Sequence, residues 1–186
     1  MRDRIVETSR FLSFVLRHEP EAIGLHLDRE GWASVAELIA GARKRGRQLD
    51  EATIAEVVAG NDKRRFALSA DGTRIRAVQG HSIDVDLGLA PAVPPALLYH
   101  GTATRFAEHI RREGLRPAGR QYVHLSATAA AAARVGARHG RPVVLSVRAF
   151  EAHERGVVFH LSENQLWLVR SLPAEFLLWP AEAHVS

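Results

Sequence analysis

Cysteine is missing from all 186 residues, which excludes a disulfide framework and any thiolate metal site. Lysine is nearly missing too: Lys44 and Lys63 are the two examples, so arginine supplies 23 of the 25 basic residues. No stretch approaches the roughly 20 apolar residues needed to span a bilayer. The start, Met1-Arg2-Asp3-Arg4, leads into an amphipathic segment without the apolar region of a signal peptide. A cytoplasmic protein with no membrane contact is the expectation. There is no G-x-x-x-x-G-K-[ST] loop, no G-x-G-x-x-G after a strand and no G-x-S-x-G elbow, which argues against P-loop, Rossmann and α/β-hydrolase chemistry. The ten histidines lack metal-ligand spacing such as H-E-x-x-H, so no metal is expected.

What is present supports a folded chain. The 46% apolar content is enough for a real core, and the net charge of +4 is what a mixed, solvated surface gives. Arginine's dominance has two readings: a compositional bias, or recognition of phosphate by a bidentate group. Four strings place Arg, His or small hydrogen-bonding residues at the edges of apolar stretches. They are Leu16-Arg17-His18, Arg74 to Ser82, Tyr99-His100-Gly101-Thr102 and Gly119 to Ser126. A multiply charged phosphate ligand needs such edges.

The pattern along the chain predicts an α+β protein in two lobes, residues 1–85 and 97–186, joined by a proline-rich linker at 86–96. Pro91, Pro94 and Pro95 continue neither a helix nor a central strand, although 84–89 retains the look of a short strand. In the first lobe, residues 3–17 put Val6, Phe11, Phe14 and Val15 close to one helical face. Ser34 and Glu37 form a capping box for a second helix bearing Val35, Leu38, Ile39 and Ala42, stopped by Gly46. Asp50 caps a third with Ile54, Val57 and Val58, ended by Gly60-Asn61. Asp71-Gly72 between two β-like runs predicts a hairpin. Helices followed by a hairpin make a winged-helix arrangement. The second lobe reads as a mostly antiparallel, split β-sheet with two helices. Thr102 or Thr104 caps the first and Ser126 the second, an alanine-rich helix ending near Gly140.

Each polar string has an ordinary reading beside a functional one. Arg17 and His18 offset the dipole of the first helix, or clamp a phosphate with a group able to exchange protons. Lys63-Arg64-Arg65 is a solvated run, or it turns Arg65 towards a ligand. Arg76, Gln79, His81 and Ser82 are a polar turn, or a ligand edge where Gly80 lets backbone pass close to something. His100-Gly101-Thr102, placed between a strand and a helix, allows an anion at the helix start. Arg138-His139-Gly140 caps a helix or faces a ligand.

Taken in order, Phe11 to His18, Asp28-Arg29-Glu30-Gly31-Trp32, Lys63 to Phe66, Ile75 to Ser82, Tyr99 to Thr102, Tyr122 to Ser126 and Val135 to Gly140 closely resemble the tRNA 2′-phosphotransferase family, across roughly residues 8–180. The resemblance implies a winged-helix N-lobe and an ADP-ribosyltransferase-like C-lobe. It implies a reaction in which an internal RNA 2′-phosphate attacks the nicotinamide-ribose of NAD⁺ and expels nicotinamide. The resulting 2′-phospho-ADP-ribosyl RNA then resolves to 2′-hydroxyl RNA and ADP-ribose 1″,2″-cyclic phosphate. The family's Arg-His-Arg-Arg catalytic set falls on Arg17, His18, Arg65 and Arg120, with the phosphate expected in a cleft between the lobes. His100, Gly101, Thr102, Ser126, Arg138 and His139 are the candidates for NAD⁺. Arg76, Gln79, His81 and Ser82 are the candidates for RNA or for holding the cleft. The expected partners are NAD⁺, consumed, and an RNA with a 2′-phosphate; no obligate protein partner is expected, and the chain is taken as a monomer.

Three other readings compete. A winged-helix regulator would use the third helix on duplex nucleic acid, but residues 50–60 hold no Arg or Lys and three acidic residues, poor material for base and phosphate contacts. An ADP-ribosyltransferase acting on nucleic-acid terminal phosphates or on protein would share the NAD⁺ lobe without needing Arg17 and His18. A binding module without catalysis leaves the Arg/His set unexplained.

Overall fold

The computed structural model describes residues 2–60 and 64–180, and its contacts divide the chain into two units, Met1–Gly88 and Leu89–Ser186. Both mix helices with small antiparallel sheets, an α+β architecture. Among the described residues no helix is long and apolar enough to cross a membrane.

The first unit opens with α1 (Arg2–Arg17), a 3₁₀ turn (Pro20–Ile23), β1 (Ala33–Ser34) and α2 (Val35–Lys44). It closes with α3 (Glu51–Ala59), β2 (Phe66–Leu68) and β3 (Arg74–Ala77). The caps fall on the expected residues. The Ser34 hydroxyl accepts the Glu37 N–H at 3.3 Å and Asp50 accepts that of Thr53 at 2.7 Å, each satisfying an orphan donor of a first turn. The hairpin forms at Asp71, whose carboxylate accepts the Ser69 hydroxyl at 2.5 Å and the Thr73 N–H at 3.1 Å. Those bonds favour the anion and hold its pKa down to about 2. The strand order is β1-β3-β2, and Leu12, Leu16, Leu38, Ile54 and Ile75 are fully buried beneath the sheet and helices.

The face of α1 differs from the expected one. Leu12, Val15 and Leu16 make its core seam, Phe11 packs beside it, and Val6 and Phe14 stay 46% and 42% exposed. Position 14 is one residue before the buried Val15, about 100° round the helix, so it falls on the flank. Asn61 and Lys63 lie outside the described residues.

The second unit runs β4 (Leu97–Ala103), α4 (Ala107–Glu113), β5 (Val123–Leu125), α5 (Ala129–Gly136), β6 (Pro142–Arg148) and α6 (Ala149–Glu154). β7 (Phe159–Leu161), β8 (Trp167–Val169) and β9 (Leu177–Leu178) complete it. Two three-stranded antiparallel sheets result, β4-β6-β9 and β5-β8-β7, around Leu98, Leu125, Leu145, Phe159 and Leu172. Residues 89–96 are fastened to this unit: Ala92 donates to the Phe159 carbonyl at 2.8 Å and Pro91 bridges His160. Residues 84–89 form no strand; Val85 and Leu87 are buried instead.

Three local expectations need correction. Pairing of β4 with β6 continues to Ala103↔Pro142, so His100, Gly101 and Thr102 lie within the strand, and neither Thr102 nor Thr104 caps α4. The cap of α5 is Thr128, which accepts the Ala131 N–H at 3.3 Å; Ser126 is already bonded through its backbone to Tyr99. A third helix of this unit, α6, was not anticipated: Ala149–Glu154 is too short to show a helical period.

Candidate functional site

The first group of polar residues gathers where α1 ends. Arg17 closes the helix, and its terminal carbonyl, an orphan acceptor in any isolated helix, takes the Ser82 N–H at 3.0 Å. The Ser82 hydroxyl lies 2.9 Å from His18 Nδ1 and 3.4 Å from the Arg17 carbonyl. Ser82 therefore fastens the loop after β3 to the end of α1 and orients the exposed His18 ring. The Arg17 guanidinium reaches the other way. It donates through Nη2 to the Arg65 carbonyl at 3.4 Å and sits 5.7 Å from the centre of the Phe66 ring. The Arg65 carbonyl also accepts the Val78 N–H at 3.0 Å, so the entry to β2, the exit of β3 and the tip of α1 are tied at one point.

The expectation that Gly80 lets backbone pass close needs correction: no backbone crowds this position, and its neighbour is the Arg17 side chain. A Cβ there would stand 3.5 Å from the guanidinium, which is ordinary contact, but the φ of +89° suits glycine alone. Arg76 lies 4.6 Å from the centre of the Trp32 ring, a cation–π contact set up by the β1–β3 register, in which Ala33 faces Ile75. His81 is buried, and neither ring nitrogen has a hydrogen-bond partner among the described residues. Burial, reinforced by the charges of Arg17, His18 and Arg76, lowers its pKa to about 4. At neutral pH an uncharged imidazole thus fills the space among basic groups without adding to their repulsion. Gln79 is half-buried, and its side-chain oxygen has no hydrogen-bond partner among the described residues.

The second group surrounds β4. His100 Nδ1 lies 3.1 Å from the His124 carbonyl. A carbonyl only accepts, so Nδ1 carries the proton and Nε2 is left as an acceptor. Burial lowers the His100 pKa against the opposing pull of that bond, keeping the ring neutral at pH 7. The exposed Arg120 donates through Nη1 to His124 Nδ1 at 3.1 Å. Tyr99 and Ser126 exchange both backbone bonds, at 2.9 and 2.8 Å, which sets Ser126 beside His100. Gly101 proves to be a packing device: a Cβ would come within 1.7 Å of the Ala132 carbonyl oxygen, and one on Gly136 within 2.5 Å of the Thr102 carbonyl oxygen. The backbones of α5 and β4 are in direct contact there, and Thr102 is buried. Arg138 and His139 are exposed in the 3₁₀ turn that follows α5 and touches β4.

Arg17, His18, Arg65, Arg76, Gln79, His81 and Ser82 thus share one neighbourhood of the first unit. His100, Gly101, Thr102, Ser126, Arg138, His139 and Arg120 belong to the second. Sequence reasoning missed His124 as a link between Arg120 and His100. Its signal was the two-residue period of β5, where Val123 and Leu125 are buried and His124 faces the other way. No group of three or more metal-ligating side chains occurs among the described residues.

Comparison with known proteins agrees on one family. The family model described as "RNA 2′-phosphotransferase, Tpt1 / KptA family" matches residues 3–171. A probable RNA 2′-phosphotransferase of Pseudomonas aeruginosa (strain UCBPP-PA14) is 57% identical over 177 residues, covering 95% of this chain and 97% of the relative. Proteins of the same name from Agrobacterium fabrum (56% over 176 residues, 95% of each chain) and Escherichia coli O6:K15:H31 (54% over 176 residues, 94% and 96%) are similarly close.

Proposed function

The chain belongs to the RNA 2′-phosphotransferase family, and from that premise we propose that it removes an internal 2′-phosphate from RNA with NAD⁺ as a consumed co-substrate. On this reading the first unit is a winged-helix lobe that takes the RNA phosphate, and the second an ADP-ribosyltransferase-like lobe that takes NAD⁺. The observation that carries it is the junction of Arg17, His18, Arg65 and Ser82: the Arg17 guanidinium held on the Arg65 carbonyl, and an exposed histidine held by Ser82, at the tip of α1. The second unit adds a neutral His100 with its Nε2 open to donors, and Ser126, Arg138 and His139 around the same strand.

In the first step a 2′-phosphate oxygen bonds to ribose C1″ while the C1″–N bond breaks and its electron pair leaves with neutral nicotinamide. A phosphate near −2 charge needs positioning more than a base. In the second step the ribose 2″-oxygen bonds to phosphorus and the bond to the RNA 2′-oxygen breaks. The proton lost by the 2″-hydroxyl is balanced by the one gained at the RNA 2′-oxygen. Charge builds on the phosphoryl group here, where fixed guanidinium groups contribute most. Arg17, Arg65 and Arg120 are assigned to that phosphate, and His18, steadied by Ser82, to the transesterification.

The test mixes the protein with NAD⁺ and a short RNA carrying one internal 2′-phosphate, and follows both products. Loss of the 2′-phosphate with release of ADP-ribose cyclic phosphate is the expected outcome. NAD⁺ consumption that modifies only terminal phosphates would replace the reading with terminal ADP-ribosylation. No consumption at all would leave a binding protein.

A further inference from the structure

A groove of about 630 Å³ runs along α1 from the same junction. His18 and Arg65 line it together with Val6, Arg10, Ser13 and Phe14 of α1 and Val57 of α3. Val6, Arg10, Phe14 and His18 repeat at four-residue spacing and Ser13 lies three from Arg10, so one flank of the helix faces the groove. From Val6 to His18 that flank extends roughly 18 Å at 1.5 Å per residue. Its chemistry is specific: an exposed arginine, hydroxyls, and the exposed apolar faces of Val6 and Phe14, with no acidic side chain lining it among the described residues. Neither Val6 nor Phe14 is needed by the core, whose seam is Leu12, Val15 and Leu16.

We propose that this groove binds the single-stranded RNA flanking the reactive nucleotide. This assignment rests on the 2′-phosphate being seated at His18 and Arg65. Continuity fixes the occupant: His18 and Arg65 line the groove, so a strand whose 2′-phosphate is held by them leads on along its other lining residues. A base stacks on Phe14, and Arg10, one turn further along, meets a backbone phosphate. Aromatic and guanidinium surfaces are how proteins hold unpaired RNA irrespective of sequence. None of the polar strings at element edges includes these residues.

The experiment measures binding, without NAD⁺, of a fluorescent 2′-phosphorylated dinucleotide and of the same unit lengthened by several nucleotides on either side. The wild-type protein gains affinity on lengthening. Phe14→Ala and Arg10→Gln each cut that gain about tenfold, within the range of one lost stacking contact. Arg10→Gln also reduces the salt dependence of long-strand binding by about 0.7 in log–log slope, and Arg10→Lys restores it. Both positions are exposed, and circular dichroism confirms that the variants fold. Unchanged gain in both variants, or an equal loss on dinucleotide and long strand, overturns the groove assignment. A wild-type protein that gains affinity through Arg10 and Phe14 yet leaves the 2′-phosphate intact overturns the proposed reaction and keeps the groove.

Discussion

Each unit keeps a histidine uncharged, but by different construction. His81 of the first unit has no hydrogen-bond partner among the described residues and is surrounded by cationic side chains. His100 of the second is held by a backbone carbonyl within a strand packed directly on a helix. The first neighbourhood is a junction of element ends, tied by side-chain and loop bonds. The second is built on contact between backbones. A side-chain junction tolerates substitution with graded losses, whereas backbone contact fails abruptly, because a carbonyl cannot move aside as a side-chain end can.

The largest expected effect comes from breaking the second construction. Gly101→Ala must push α5 off β4, and overpacking of backbone on backbone costs upwards of about 3 kcal/mol. The second unit is expected to unfold well before the wild type in thermal denaturation followed by circular dichroism. Gly80→Ala, where only φ is at fault, costs about 1–2 kcal/mol. Equal melting shifts for the two would remove the contrast.

Next in size is Arg17→Ala in the first unit. It deletes the guanidinium assigned to the phosphate together with its bond to the Arg65 carbonyl. Turnover of 2′-phosphorylated RNA should fall about 10²–10³-fold, the range for removing one preorganised donor, with the fold retained. Wild-type turnover in this variant would detach Arg17 from the chemistry.

The histidines sharpen the comparison through pH. His81 titrates near 6.5 when unfolded and near 4 when folded, so between these values the unfolded chain binds more protons and acid destabilises the first unit. Stability is complete above pH 6.5 and falls towards pH 4, by up to about 3 kcal/mol. His81→Leu should flatten that part of the curve measured by urea unfolding. A curve of unchanged steepness would place the acid sensitivity elsewhere.

The smallest effect is expected from Ser82→Ala. One side-chain contact to His18 is lost, worth about 1 kcal/mol, while the Ser82 N–H still satisfies the Arg17 carbonyl. Turnover should drop roughly tenfold by loosening His18, with little change in melting. A large melting shift would make Ser82 a structural pin.

Local chemistry was legible wherever the deciding interaction is short in sequence. The caps at Ser34 and Asp50 and the turn at Asp71 span two or three residues, so the residue types alone specify them. The strings at 17–18, 65 and 76–82 were legible as polar edges, and the family followed from their order. Other features depend on partners far along the chain. That β4 runs through Gly101 rather than stopping before it is decided by β6, some 40 residues on. That Gly101 serves α5, and that His124 connects Arg120 to His100, are likewise settled by neighbours the local pattern cannot name.

By itself the sequence determined composition, capping and turn chemistry, because these rest on interactions within a few bonds or one helical turn. The tertiary structure alone decided which flank of α1 faces the groove, why position 80 must be glycine, and that His81 stays neutral among cations. The first and third follow from burial, which is set by every element that closes over a residue, and the second from the φ of +89° that the loop after β3 takes there.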